Sequence, residues 1–261
     1  MPEFSGPESR IHYDVSGEGE PILLIAPGGM RSSRDKWDSA PWHPGALLED
    51  AFKVIAMDQR NAGASTGSIG PEDGWDTYTA DQLGLMDALG CDRFHVLGMC
   101  IGGPFTLNLI KRAPERIKSA VVLQTIGRDH NDAAFLAMFD GWAEGLSASQ
   151  ASVSETSVSE TSVSETSVAE TSVSNANLAA LRRNMFINDL NFLAVSEADI
   201  AQMTVPMLVL QGDDLYHPAS ASKKLAALTG STCIEGWKEG PKLELARRSV
   251  ADFLRRHAQS A

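Results

Sequence analysis

Cys100 stands in the stretch "HVLGMCIGGPF", His95 to Phe105, between an apolar run and a pair of glycines. A cysteine where a buried strand gives way to a helix is placed for covalent chemistry. Gly98 and Gly102 on either side let the chain turn sharply there. Such a turn lifts the side chain above the carboxyl edge of a sheet, where open α/β folds bind ligands. The amides that open the helix can receive negative charge developing on a carbonyl oxygen. A thiol titrates near ~8.5 and a helix N-terminus lowers that further, so a thiolate is within reach at neutral pH. Turnover of an acyl-thiol still needs a base to activate water. A cysteine also suits a turn as a small buried hydrophobe; the flanking glycines favour the nucleophile. Cys91 and Cys233 lack such a setting and read as structural.

The elements around this turn follow from periodicity. Near-continuous Val, Ile and Leu runs at 21–29, 52–60, 94–100, 119–127 and 205–213 each end in a turn and read as strands buried on both faces. Helical spacing recurs between them at 78–90, 102–113, 219–230 and 244–258. This alternation predicts an α/β fold with a doubly wound, mostly parallel sheet. The stretch "RIHYDVSGEGEP" alternates in hairpin fashion and predicts one or two antiparallel strands at an edge.

The rhythm breaks at 129–201, which predicts a helical cap, with 1–128 and 202–261 as the core. Phe135, Phe139 and Trp142 belong to that cap, and a covered site favours small or medium apolar substrates. Within it, residues 152–176 carry a five-residue repeat, "SVSETSVSETSVSETSVAETSVSNA". Five residues advance a helix by ~140° net, so the valines gather into no stripe. In a strand the odd period alternates faces. The repeat reads as an expansion in a surface loop. Trp37, Trp42 and His43, in the loop after the first long strand, either line the pocket or close the core.

The formal charge of −12 argues against nucleic acid and anionic membranes. No apolar run approaches the ~20 residues of a membrane span, and "MPEFSGPESR" lacks the layout of a signal peptide. Three cysteines are too few and too scattered for a disulfide framework or a zinc site, so a reducing cytoplasm is the expected compartment. "APGGM" is glycine-rich, but no Gly-Lys-Ser/Thr follows to make a phosphate cradle.

Three motifs in order, "LLIAPGG", "MDQRNAGAST" and "VPMLVLQGDDLYHP", together with "GMCIG", resemble the α/β-hydrolase superfamily over nearly the whole chain outside the repeat. Most members carry serine at the elbow; dienelactone hydrolases carry cysteine. The resemblance implies that Cys100 is the nucleophile and that Gly29 and Ile101 supply backbone oxyanion donors. It implies an acid after the last of these strands, Asp213 or Asp214, with Asp214 favoured. Asn61 stands where the superfamily's Asp-x-Arg-Gly turn has glycine. The superfamily's histidine belongs in the loop before the final helix, and "TCIEGWKEGPKLELARR" contains none. Lys242 lies near that place, but an ordinary lysine is protonated at neutral pH. His257 sits at the end of a surface helix. His217 and His130 follow strands at the edge that bears Cys100, and His217, oriented by Asp214 or Asp129, is the expected base.

The expectation is a hydrolase that cleaves a small ester, thioester or lactone through an acyl-cysteine, with a small-molecule substrate and no cofactor or metal. An acyltransferase using the same cysteine, or a binding protein that has lost its base, are the alternatives.

Overall fold

The computed structural model describes residues 2–157 and 174–258, with the backbone alone for 148–157. Residues 158–173 of the repeat therefore lie outside the described residues. Among those described, nine strands form one sheet: β1 (Glu3–Ser5), β2 (Ser9–Ser16), β3 (Glu20–Ile25), β4 (Phe52–Met57), β5 (Thr66–Gly67), β6 (Phe94–Met99), β7 (Ile117–Leu123), β8 (Met207–Leu210) and β9 (Thr232–Ile234). The order is β1-β2-β4-β3-β6-β7-β8-β9, with β5 paired to β2. Every pair from β4 to β9 is parallel, and β1, β2 and β5 form the antiparallel edge. The expected doubly wound sheet is present; the stretch that reads as a hairpin supplies β2, which pairs with β1, β4 and β5 rather than with β3, and the antiparallel edge has three strands where one or two were expected.

The helices are α1 (Pro44–Leu48), α2 (Trp75–Ala88), α3 (Gly102–Arg112), α4 (Asp132–Ser157), α5 (Asn175–Phe186), α6 (Glu197–Ile200), α7 (Ala219–Thr229) and α8 (Gly240–Ala258). Successive strand residues serve opposite faces, as the pleat requires. Leu23, Ile25 and Val122 pack on the face of α2, α3 and α7, while Ile22, Leu24 and Val121 pack on that of α1 and α8. Each such side chain contributes roughly 1.5–3 kcal/mol by leaving water. Trp37 and Trp42 lie in the second of these cores beside Trp237, so they close the core. His43 caps α1, its Nδ1 accepting the Gly45 N–H at 3.1 Å.

The strand order reverses between β3 and β6, because the chain passes from β3 to β4 on one side and returns to β6 on the other. Such a switch point leaves a crevice at the carboxyl ends of the two strands. Ile25 pairs with Gly98 there, so the residues just beyond them share that crevice.

α4 and α5 lie across the same edge. Trp142 Nε1 donates to the Asn61 carbonyl at 3.0 Å, Asn177 Nδ2 to that of Ile69 at 2.6 Å, and Trp75 Nε1 to that of Met185 at 3.1 Å. Phe135, Phe139 and Trp142 are buried, and Phe139 sits between Trp142 and Phe186 with ring centroids 5.3 and 5.8 Å away. Several elements depart from expectation. β9 is a strand that its three residues were too short to announce. α8 starts one turn earlier than its periodic stretch. α4 runs on to Ser157, into the first residues of the repeat, where a loop was expected.

Candidate active site

Cys100 directly follows β6, with Ile101 between it and α3, and its φ of +62° is one that non-glycine residues rarely adopt. That conformation costs about 1–3 kcal/mol and persists because the surroundings impose it. The Cys100 N–H donates to the Leu123 carbonyl at 3.1 Å, and the Cys100 carbonyl accepts from Gly103 at 3.0 Å and Ile126 at 3.2 Å. The turn is crowded. A Cβ on Gly98 would meet the carbonyl oxygen of Gly102, and one on Gly102 would meet that of Ile25 at 2.6 Å. Only glycines let strand, turn and helix approach this closely. The Cys100 side chain touches both cores yet keeps some surface open, whereas Cys91 is buried.

The loop after β8 brings the second group. The Asp214 carboxylate accepts the N–H groups of Tyr216 at 3.0 Å and His217 at 3.1 Å, which folds the segment back on itself. Both carboxylate oxygens also meet His217 Nδ1, at 2.7 and 2.8 Å. With Nδ1 so occupied, Nε2 is the nitrogen left for the thiol. Nε2 is buried and has no protein hydrogen-bond partner of ordinary geometry among the described residues. Cys100 lies near enough to His217 for each group to shift the other's titration.

The electrostatics shift both groups toward their charged forms. Burial pushes the Cys100 thiol up, but the His217 imidazole and the N–H groups of Gly28 and Ile101 outweigh it and bring the thiol below its ordinary value. Burial pulls His217 down, and the Cys100 sulfur and Asp214 carboxylate raise it above the ordinary imidazole value. Burial raises Asp214, and His217 brings it below the usual carboxylate range. The thiol of Cys233 behaves oppositely: burial and Glu235 push it up.

The structure separates the candidate residues. Asp214, not Asp213, meets His217; Asp213 pairs with Lys238 on the surface. Asp129 accepts from Ser220 Oγ at 2.6 Å and does not orient His217. His130 is exposed on a turn at φ +58°, and Lys242 is exposed on α8. In the segment before α8, Trp237 is fully buried and donates Nε1 to the Gln211 carbonyl at 2.8 Å, so that position packs where a histidine was looked for.

The N–H of Ile101, one of the two expected oxyanion donors, helps lower the Cys100 thiol. So does that of Gly28, at φ +117°, while Gly29, the other expected donor, lies against Met138 of α4. The run "APGG" offers both glycines, and nothing in their types says which one ends at the crevice.

A family profile described as the α/β-hydrolase fold matches residues 21–235. The chain belongs to the α/β-hydrolase family. This α/β hydrolase is 32% identical to a putative carbamate hydrolase, RutD, of Azorhizobium caulinodans over 124 residues, which are 47% of this chain and 44% of that protein. It is 29% identical to 2-hydroxy-6-oxo-6-phenylhexa-2,4-dienoate hydrolase of Comamonas testosteroni over 113 residues, 43% of this chain and 39% of that one. The chain thus matches less than half the length of either relative. Among solved structures, the enol-lactonase from Burkholderia xenovorans superposes with a TM-score of 0.66 at 21% identity, covering 97% of this chain and 100% of that one. A meta-cleavage product hydrolase from Pseudomonas fluorescens gives 0.65 at 18%, covering 95% of each chain. At such identities the likeness concerns the fold.

Proposed function

We propose that this α/β hydrolase cleaves a small ester, thioester or lactone through an acyl-cysteine on Cys100. The Sγ thiolate attacks the carbonyl carbon, and the carbonyl π electrons move to oxygen. The N–H groups of Gly28 and Ile101 receive that oxyanion. Collapse of the tetrahedral adduct breaks the bond to the leaving group, which takes the proton from His217 Nε2. Water then attacks the acyl-cysteine as Nε2 takes its proton, and the second collapse releases the acid and restores the thiolate. Asp214 keeps the imidazole turned and stabilises its charged form. The helical insert α4–α5 acts as the cap, with Met138 and Phe135 over the crevice.

The observation that carries this reading is the chain Asp214–His217–Cys100 at the switch point. A base on the loop after β8 removes the need for a histidine before α8, which was the main argument for a binding protein without turnover. The hydrolase names of the relatives agree with it.

A panel of p-nitrophenyl esters tests it. Wild type should turn over, and Cys100→Ala and His217→Ala should lose at least about 10²-fold. A stoichiometric burst without turnover in wild type would favour acyl transfer instead. Ligand-induced stabilisation without a burst would favour a binding protein.

A further inference from the structure

Asn131 lies one residue before α4, and its side chain is buried, at 3% exposure. Its Nδ2 donates to the Gly127 carbonyl at 2.9 Å and to the Leu215 carbonyl at 2.7 Å, and its Oδ1 accepts the Asp129 N–H at 2.9 Å. Both donors and the acceptor oxygen of the amide are thus engaged. Two of these bonds close the local turn. The third crosses to Leu215, which lies between Asp214 and His217.

That segment needs a hold from outside. The bonds from the Asp214 carboxylate to Tyr216 and His217 are internal to it. They set its shape but not its place over Cys100. Its residues 213–216 are exposed, with Leu215 at 62% and Tyr216 at 38%. Exposed loops are the mobile parts of a fold unless tied down. Ser222 Oγ accepts the Gly212 N–H at 3.1 Å and so anchors the root of the loop, while Lys238 reaches Asp214 Oδ2 at 3.7 Å from the surface. The Phe135 and Tyr216 rings lie 6.1 Å apart. Asn131 is the buried polar side chain that grips the segment between its acid and its base.

We infer that Asn131 is a positioning residue for the base: by pinning the Leu215 carbonyl it keeps the His217 imidazole over the Cys100 sulfur, and so couples the entry of the helical insert to the reacting pair. This rests on the reading of Cys100 and His217 as nucleophile and base. A misplacement of about 1 Å in such a pair can cost about 10²-fold in rate.

The test compares wild type, Asn131→Ala, Asn131→Ser and His217→Ala. Serine retains a good residue for the start of α4 but is too short to reach Leu215, so it carries the test if alanine fails to fold. The readouts are the pH dependence of Cys100 alkylation by iodoacetamide, followed by peptide mapping, and kcat/KM for p-nitrophenyl acetate. In the folded Asn131 variants the alkylation midpoint should rise toward that of His217→Ala, and kcat/KM should fall about tenfold or more. If the Asn131 variants keep the wild-type midpoint and kcat/KM while His217→Ala moves both, the positioning role is overturned and the base stands. If His217→Ala itself leaves the midpoint unmoved, the base reading fails and this inference fails with it.

Discussion

Asp214 holds Nδ1 of His217 with both carboxylate oxygens, at 2.7 and 2.8 Å, from three residues away on the same loop. Carboxylate and imidazole therefore arrive together on one turn after β8, while Trp237 is buried in the last loop. Asp214→Asn should lower kcat/KM by at least about 10²-fold, because the neutral amide no longer favours the charged imidazole. Asp213→Asn breaks only a surface pair and should change kcat/KM by less than about threefold. Steady-state kinetics on the two variants checks the contrast.

The opposed shifts of Cys100 and His217, the thiol down and the imidazole up, bring their titrations toward each other. Alkylation of Cys100 should rise with pH at a midpoint below that of an ordinary thiol. In His217→Ala the largest opposing influence is gone and burial remains, so the midpoint should move up. Iodoacetamide rates across pH, with the modified peptide identified, measure it.

Crowding at the elbow makes Gly98 a stability determinant as well. Gly98→Ala places a methyl group against the Gly102 carbonyl and the Thr106 hydroxyl. The cost should be about 1–3 kcal/mol, read by urea unfolding.

Arg60 and Asp81 form a buried bidentate pair, with Nε–Oδ2 at 2.8 Å and Nη2–Oδ1 at 2.9 Å, and Ser9 Oγ donates to Asp81 at 2.6 Å. Asp81→Ala leaves a buried guanidinium without its partner and should cost about 3–5 kcal/mol. The midpoint of chemical unfolding checks this.

His95 lies fully buried on β6, with Nδ1 2.8 Å from Ser119 Oγ and Nε2 3.1 Å from Glu20, which also meets Lys118 at 2.6 Å. Burial holds the imidazole below its ordinary value despite Glu20, and Lys118 and His257 push the same way as burial. As pH falls below about 6.5 the unfolded chain takes up a proton that the fold resists, so stability drops with acid. Asn at this site cannot titrate, so His95→Asn should show a shallower loss of stability between about pH 7 and 5 than wild type. The difference between the two proteins isolates His95 from His217, whose raised value acts in the opposite sense.

Much of this fold is legible in the sequence. The long apolar runs became β3, β4, β6, β7 and β8 because double-sided burial leaves a continuous hydrophobic signature, and Gly98 and Gly102 announced the turn at Cys100. β9 escaped notice because three residues carry no period. The choice of Asp214 over Asp213 needed the fold of one turn, since both carboxylates follow the strand. Asn131 left no mark at all, because its partner is a main-chain carbonyl 84 residues away. Contacts made to backbone leave no residue type to read at the other end.

On the proposed mechanism an acyl group passes through Cys100. Rapid mixing with p-nitrophenyl acetate, acid quench and peptide mass spectrometry would detect it. One acetyl group should be found on the Cys100 peptide, accumulating in His217→Ala, where water lacks its base. An unmodified Cys100 peptide, together with undiminished hydrolysis by Cys100→Ala, would contradict it.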